Sequence, residues 1–376
     1  AIIEEMPEMG IKSDPKLKLQ VVATGMHLSS KFGSTYKLIK KDGIDINEKL
    51  NILVYPNTDI GVTKSIARGI QLFADAFTRL KPEIVVIFAD RFEMLAAAVA
   101  AYMAKIPIAH IHGGETSQGS VDEGIRHSIT KMAHIHFVAT DIYRKRVIQL
   151  GEHPNRVFNY GSPGLEALYR GRWLSKDQLA EALNLHLNKP TSVMTYHPVT
   201  LERQSPLEQI KIVLESLKDF DIQVIFTKSN ADAHGEVINR QIQKFCLTNP
   251  KKYKLFSSLG QEKYYSALKY CHVMIGNSSS GFVEAPSFKI PVVNIGDRQK
   301  GRMRSRNIMD VSCTAPEIKR AIRLALSSSF RGRLKGLKNP HEHFKNGKAS
   351  FHLKEKIKQL SLQGSWLKKE FYDLSF

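Results

Sequence analysis

Short apolar runs rich in β-branched residues alternate with helical stretches along most of this 376-residue chain. Such runs predict strands that are buried on both faces, as in parallel sheets covered by helices. The ten runs are LQVVATG (19–25), EIVVIFAD (83–90), IPIAHIH (106–112), IHFVAT (135–140), RVFNYG (156–161), TSVMTYH (191–197), QVIFTKS (223–229), YKLFSS (253–258), CHVMIG (271–276) and IPVVNIG (290–296). The pattern therefore predicts an α/β fold built from parallel sheets.

A polar, helical stretch at 165–190 separates the first five runs from the last five. We therefore predict two Rossmann-like domains, at 1–165 and 166–350. The segment 351–376 should carry a helix, at about 351–370, that packs back on the first domain. The start, AIIEEMPEMG, is typical of the end of a helix rather than of a first strand. In open α/β sheets ligands bind beyond the carboxyl ends of the strands, so polar residues there are the candidate site.

Composition favours a soluble globular protein in a reducing compartment. Apolar residues make up 42% of the chain and charged residues 24%. No apolar run reaches the roughly 18–20 residues that span a bilayer. The three cysteines follow neither a disulfide framework nor a zinc spacing. We therefore expect a cytoplasmic protein that does not bind a membrane.

The net charge of +19 raises the hypothesis of nucleic-acid binding. However, the basic segments in the last third lack interleaved aromatic residues, and no recognition-helix or zinc-finger pattern occurs. A basic surface that partly serves an anionic small ligand is the better interpretation. The absence of a GxGxxG fingerprint and of a Walker loop counts against a dehydrogenase or an ATPase.

The stretch GNSSSGFVEAPS (276–287) joins a predicted strand to a predicted helix. Its serines are either an ordinary N-cap or, together with free N–H groups and the helix dipole, an anion site. Glu284 stands alone within an otherwise apolar part of this helix. Because the other unusual clusters also fall at strand ends, we favour the anion site.

Five more polar residues lie at or just after the carboxyl ends of predicted strands. Asp90 and Arg91 are either an N-cap with a surface arginine or a general base beside a phosphate ligand. His197 is either a satisfied surface histidine or a ligand, and Asn230 either makes an Asx turn or binds substrate. Arg298 suits a phosphate.

The densest cluster is HIHGGETSQGSVDEGIRHS (110–128), which holds His112, Glu115 and Asp122. Two histidines on one strand face with nearby carboxylates are compatible with a metal site, but the spacing matches no zinc motif. Carboxylates and imidazoles without thiolates suit proton transfer better, so we predict no metal.

Taken together, five motifs resemble the hydrolysing UDP-N-acetylglucosamine 2-epimerases of sialic acid synthesis. The motifs are ADRFE, HIHGGE…DEGIRHSITK, YHPVT, GNSSSGFVEAPS and NIGDRQKGR, in the same order and spacing over nearly the whole chain. The resemblance implies a GT-B arrangement, with the nucleotide sugar in a cleft between two Rossmann-like domains. It also implies that UDP-GlcNAc and water give UDP and N-acetylmannosamine, by elimination of UDP and hydration of a 2-acetamidoglucal, without a cofactor.

The resemblance also implies roles for individual residues. Ser278 and Ser279 would hold the diphosphate, and Glu284 would accept hydrogen bonds from the ribose hydroxyls. Asp90 and Asp122 match the family's catalytic carboxylates. The other residues matched to UDP are Arg91, His197, Asn230 and Arg298, and the other candidates for catalysis are His112, Glu115 and His197.

Three features depart from the family. Ala89 stands where Gly is common, and His112 stands where many relatives carry Glu, which leaves the acid and base roles open. A first strand with a Gly-Thr-Arg-Ala loop, usual in the family and a source of a phosphate-binding Arg, has no counterpart in this sequence.

Other substrates and classes stay open. A UDP-2,4-diacetamido-2,4,6-trideoxyhexose or GDP-GlcNAc, as in legionaminic acid pathways, is an alternative substrate, because nothing in the sequence distinguishes the groups at C4 and C6. A GT-B glycosyltransferase would use the same UDP site but would need an acceptor. We expect a UDP-sugar as the ligand and a homodimer or homotetramer as the assembly.

Overall fold

The computed structural model of the protein describes residues 14–171, 173–202, 204–344, 348–361 and 366–374. Every strand pair within these ranges is parallel. The strands are β1 (Val22–Thr24), β2 (Glu48–Leu50), β3 (Val85–Phe88), β4 (Ile108–Ile111), β5 (Ile135–Val138), β6 (Val157–Asn159), β7 (Thr191–Thr195), β8 (Gln223–Thr227), β9 (Tyr253–Phe256), β10 (Val273–Gly276), β11 (Val292–Ile295) and β12 (Ile308–Val311).

Helices connect most of these strands, as parallel pairing requires. They are α1 (Tyr36–Lys41), α2 (Asp59–Leu80), α3 (Phe92–Met103), α4 (Asp122–Met132), α5 (Asp141–Gln149), α6 (Ala167–Arg170), α7 (Lys176–Leu183), α8 (Pro206–Leu217), α9 (Gly235–Thr248), α10 (Gly260–Tyr270), α11 (Ser280–Val283), α12 (Ala285–Phe288), α13 (Ala315–Leu326), α14 (Ser328–Gly332) and α15 (Ala349–Ser361). Short 3-10 helices lie at Gly25–Leu28, Ser30–Phe32, Pro154–Arg156, Pro163–Glu166 and Asp297–Gln299. Among the helices that the structure describes, none has the length and apolar character needed to cross a bilayer.

The C-terminal half forms one six-stranded sheet in the order β12-β11-β10-β7-β8-β9. Its central strands are buried along their whole length, since helices cover both faces. Strand β12 was not predicted, because it lies at the sheet edge and its residues, including the exposed Asp310, break the apolar pattern.

The N-terminal half contains a four-stranded sheet, β3-β4-β5-β6, and a separate two-stranded sheet, β1-β2. The predicted run at 19–25 forms β1 over only three residues. Strand β2, of sequence EKL, was also not predicted, since it is too short and too polar to carry a strand signal.

A cavity of about 760 Å³ lies between β1 and β3. Within the described residues, each of these strands pairs on one side only, so their free edges face the cavity. Apolar side chains such as Val22, Phe77, Val85 and Ile357 line it. At the carboxyl ends of the strands its lining includes Arg91, one of the predicted phosphate ligands.

The last helix, α15, packs on the N-terminal sheet. Leu353, Ile357 and Leu360 are at most 5% exposed and form one cluster with Ile111 and Phe137. The helix predicted at about 351–370 is observed over 349–361, and 362–365 lie outside the described residues, as does the predicted helix end at 1–10. The domain boundaries at 1–165, 166–350 and 351–376 stay predictions.

We expect Leu353→Ala to destabilise the N-terminal domain by about 2–5 kcal/mol, because it leaves a cavity in a packed core. The neighbouring Phe351 is 49% exposed, so Phe351→Ala should change the free energy of unfolding by only about 0.5 kcal/mol. Urea denaturation followed by Trp366 fluorescence, in a Trp173→Phe background, measures both. Equal losses of unfolding free energy in the two variants would mean that the packing of α15 does not depend on its buried side chains.

Candidate active site

The predicted polar residues meet where the carboxyl ends of strands from both halves come together. Arg91, which follows β3, contacts Asp232, which follows β8. Arg298, which follows β11, lies 3.6 Å from Asp122 at the start of α4. These contacts cross between the two halves at the edge where open α/β sheets bind ligands.

Two residues at this edge have a left-handed backbone. Ala89 follows β3 with φ 63°, and His112 follows β4 with φ 68°. Such values are uncommon for residues other than glycine, and they cluster at functional sites. Both turns direct the chain into the cleft, since Asp90 comes directly after the first and Glu115 lies three residues after His112.

Arg126 on α4 binds two carboxylates of the site. Its side chain is 1% exposed and donates to Asp90, the carboxylate that follows β3. It also donates to Glu123 Oε2 at 2.7 Å and to Ser117 Oγ at 2.8 Å. Arg126 stands in a motif quoted above, but no role had been predicted for it. Its buried charge is what fixes the position of Asp90.

His112 and Glu115 form a directed pair. His112 Nδ1 lies 2.7 Å from Glu115 Oε1, and the other carboxylate oxygen is 2.7 Å from Arg302 Nη2. Burial would raise the pKa of Glu115, but Arg302 and His112 hold it well below its usual range. Because an ionised Glu115 accepts from Nδ1–H, the Nε2 atom of His112 is left facing Ser162 Oγ, at 3.3 Å.

Asp122 can hold a proton near neutral pH. Burial, followed by the nearby charges of Asp232 and Asp90, raises the pKa of Asp122 to about 7. Arg298 and Arg91 oppose this rise but do not cancel it. Such a carboxyl group can donate a proton at the pH where its neighbours remain ionised.

Two predicted phosphate ligands, the half-buried Arg91 and the buried Arg298, pair with Asp232. Arg91 Nη1 lies 2.8 Å from Asp232 Oδ1, and Arg298 Nη2 lies 3.7 Å from Asp232 Oδ2. Arg91 also contacts Glu93 Oε2 at 3.2 Å. The two guanidinium groups lie on either side of Asp232, and their N–H donors suit a diphosphate.

His197 and Asn230 stand on the same side. The backbone N–H of Asn230 donates to His197 Nδ1 at 3.3 Å, so the proton of the neutral ring is on Nε2. Burial and then Arg298 lower the pKa of His197 to about 3, which keeps the ring neutral. Asn230 also makes the Asx turn, since its Oδ1 accepts from Asp232 N–H at 3.3 Å. His197 can therefore donate Nε2–H to an anion.

A helix begins in the serine run, as predicted, but it is not continuous. The chain instead forms two four-residue helices, α11 and α12, that meet at Glu284. Ser278 Oγ accepts from Ser280 N–H at 3.3 Å, and Ser279 is exposed. Glu284 Oε2 is buried and has no partner among the described residues, and burial raises the pKa of Glu284. Pro286 at the start of α12 accounts for the interruption, because it cannot donate within a continuing helix.

His341 is a residue of the site that sequence reasoning missed. It is 0% exposed, and neither ring nitrogen has a partner within the described residues. Its carbonyl accepts from Ser162 N–H, and Ser162 also contacts His112. Burial lowers the pKa of His341 to about 4. Because it lies in the basic stretch 331–348, the sequence suggested only a charged surface there.

Across the described residues, no group of three or more His, Cys, Asp or Glu side chains is arranged to hold a metal ion. The carboxylates at the site pair instead with arginines and histidines, as the contacts of Asp90, Glu115 and Asp232 show. Their chemistry is that of proton transfer beside an anion site.

The family model for UDP-N-acetylglucosamine 2-epimerase matches residues 9–358. The chain belongs to the UDP-N-acetylglucosamine 2-epimerase family. The resemblance identified from the sequence motifs is thereby confirmed.

Two curated relatives within this family are similar to the chain over most of its length. The GDP/UDP-N,N'-diacetylbacillosamine 2-epimerase (hydrolyzing) of Campylobacter jejuni is 46% identical over 301 residues, which cover 80% of this chain and 78% of the relative. The polysialic acid biosynthesis protein P7 of Escherichia coli is 36% identical over 366 residues, which cover 97% of this chain and 92% of the relative.

The fold of the chain matches a solved structure in the same family. The UDP-GlcNAc 2-epimerase from Neisseria meningitidis, bound to UDP-GlcNAc, aligns with a TM-score of 0.77 at 18% identity, over 95% of this chain and 96% of that one. The predicted GT-B arrangement of two Rossmann-like domains is thereby confirmed.

We expect Glu115→Gln to lower the free energy of unfolding by about 3 kcal/mol, because it leaves the buried Arg302 without a compensating charge. Glu236→Gln is a matched control. Its ion pair with Lys31, at 3.0 Å, is solvent-exposed, so the loss should stay below about 1 kcal/mol. Urea denaturation measures the free energy of unfolding of both variants. Similar losses in the two would contradict the claim that the buried Glu115–Arg302 pair stabilises the protein.

Proposed function

We propose that the protein is a hydrolysing 2-epimerase of a UDP-2,4-diacetamido-2,4,6-trideoxyhexose. The observation that carries the reaction is a carboxyl group with a pKa of about 7, Asp122, within 4 Å of a guanidinium group of the anion site, with an oriented imidazole in the same cleft. The choice of sugar rests on the relative that is 46% identical, which is named for N,N'-diacetylbacillosamine.

The anion site binds the diphosphate and makes UDP a good leaving group. Arg91 and Arg298 neutralise the negative charge that develops as the bond from C1 to oxygen breaks. His197 adds a neutral donor through Nε2–H. Ser278 and Ser279 extend the same surface, and their hydroxyls donate to the phosphate oxygens.

His112 removes the proton at C2. Its Nε2 atom is free to accept because Glu115 fixes the proton on Nδ1, and the charge of Glu115 stabilises the imidazolium that forms. The electron pair of the C–H bond forms the C1–C2 double bond as UDP departs. The product of this step is a glycal.

Asp122 completes the reaction. Asp122 delivers its proton to C2 on the face opposite to the one from which the first was taken, and water adds at C1 of the glycal as its second proton passes to the Asp122 carboxylate. His112 returns the proton it took to solvent. The net change is UDP-sugar plus water to UDP plus the free 2-epimeric sugar. Asp90, held by Arg126, keeps a negative charge beside Asp122 and so favours its protonated form.

UDP-GlcNAc is the second candidate substrate. The relative that is 36% identical is named for polysialic acid biosynthesis, which favours N-acetylmannosamine as the product. The two substrates share C1, C2 and the nucleotide, so the residues described so far serve both. A cytoplasmic location and a dimeric or tetrameric assembly stay predictions.

Turnover in deuterium oxide tests the reaction and the substrate together. We expect UDP-N,N'-diacetylbacillosamine to react with a kcat/KM at least about tenfold above that of UDP-GlcNAc, a difference within the range of one discriminating contact. The product should carry deuterium at C2, with no added nicotinamide and no acceptor. Product without deuterium at C2 would contradict the elimination route, and a preference for UDP-GlcNAc would select the second candidate. A strict requirement for an acceptor would indicate a glycosyltransferase.

The nucleotide site is tested by calorimetry with UDP alone. Ser279→Ala and Glu284→Gln should each weaken UDP binding by about 1–3 kcal/mol, because each removes a hydrogen bond to the ligand. Glu215→Gln is the control, since Glu215 is exposed on α8 and its partner is Lys218. Unchanged affinity in both site variants would remove these residues from the UDP site.

A further inference from the structure

Asp232 occupies the place between the two arginines of the anion site. Its Oδ1 accepts from Arg91 at 2.8 Å, and its Oδ2 lies 3.7 Å from Arg298 Nη2. The side chain is 8% exposed, and Oδ2 is buried without a hydrogen bond among the described residues. One of its oxygens is therefore poorly satisfied although two cations are close.

The loop that carries Asp232 is fixed from the other side of the cleft. Asn57 Nδ2 donates to the carbonyl of Ala231 at 2.8 Å, and His234 N–H donates to the carbonyl of Asn57 at 3.1 Å. Arg91 belongs to the N-terminal half, and Asp232 belongs to the C-terminal half. The ion pair between them therefore joins the two halves at the position assigned to the diphosphate.

We propose that Asp232 is a positioning residue. It is an internal counter-anion that holds Arg91 and Arg298 across the cleft until the substrate's diphosphate binds these arginines in its place. This inference rests on the proposed function, since it assumes that the two arginines bind a diphosphate. A buried guanidinium group needs a compensating charge before the substrate arrives. A carboxylate that leaves one oxygen without a hydrogen bond supplies this charge but competes weakly with a diphosphate, which offers more acceptors.

The same charge acts on the proton donor. Asp122 faces Asp232 and Asp90 on the negative side and Arg298 and Arg91 on the positive side. Asp232 itself faces Arg91, Arg298 and His197. When Arg91 and Arg298 bind the diphosphate, their positive charges stabilise the ionised form of Asp122 less, whereas the negative charge of Asp232 still acts on it. Its proton is then held more firmly until the glycal accepts it.

Asp232→Asn removes this charge while keeping the shape of the side chain. The variant should bind UDP about tenfold more tightly, because the diphosphate no longer meets a like charge at its own site. Tighter product binding should lower kcat. The decline of kcat/KM at high pH, which reports the loss of the Asp122 proton, should move to lower pH by roughly one unit, because a neighbouring negative charge is gone.

Two control variants are measured beside Asp232→Asn. Asp232→Glu keeps the charge and should restore the wild-type pH profile and a UDP affinity within about threefold of wild type, a smaller change than loss of the charge. Asp221→Asn makes the same charge change at an exposed surface site, where Lys252 is 3.4 Å away, and should alter neither quantity. If Asp232 served only to hold its loop, Asp232→Asn would weaken UDP binding and would leave the pH profile unchanged.

The outcomes separate this inference from the proposed function. Wild-type protein that neither binds UDP nor releases it from a UDP-sugar would overturn both. Only the inference would be overturned if the wild-type protein binds UDP and releases it from a UDP-sugar, while Asp232→Asn neither raises the affinity for UDP nor moves the pH profile. If the variant does not fold, a crystal structure of the wild-type UDP complex decides. Arginines on the phosphates and more than 4 Å from Asp232 support the inference, and arginines still on Asp232 overturn it.

Discussion

Opposite charges paired at the strand ends, buried or half-buried, are the interaction on which this site depends. Arg126 holds Asp90, Arg302 holds Glu115, and Arg91 holds Asp232. Removing one partner of such a pair costs about 3–5 kcal/mol, since the other is left as an uncompensated buried charge. The carboxylates therefore have fixed positions and different proton affinities. This difference lets one group of acidic residues contain both ionised members and a proton donor.

Much of the fold follows from the sequence because buried parallel strands carry their own signal. All ten predicted runs contain a strand, while β2 and β12 were missed because short or edge strands need no apolar pattern. The site was predicted where residues directly follow strands, as with Asp90 and Arg298. It was not predicted where partners come from tertiary contacts. Nothing in the sequence distinguished Asp232 from an ordinary residue of the turn at Asn230, and His341 lies in a stretch dominated by charge.

In the proposed function, the reaction and the identity of the sugar depend on different parts of the cleft. Proton transfer at C2 and departure of UDP involve groups common to every substrate of this chemistry. Recognition at C4 and C6 requires polar groups farther from the diphosphate. His341, with two buried ring nitrogens that lack partners among the described residues, is the kind of group that such recognition uses. The family and the choice of substrate are therefore separate questions.

The two-stranded sheet β1-β2 leads into segments that contact the C-terminal half. Within the described residues, the small sheet formed by β1 and β2 joins the rest of its half by side-chain packing and not by a backbone ladder to β3. The 3-10 segments at 25–32 follow β1 and are tied to α9 through Lys31 and Glu236. A ligand that orders these segments would therefore slow amide hydrogen exchange in β1 and β2 without touching either strand.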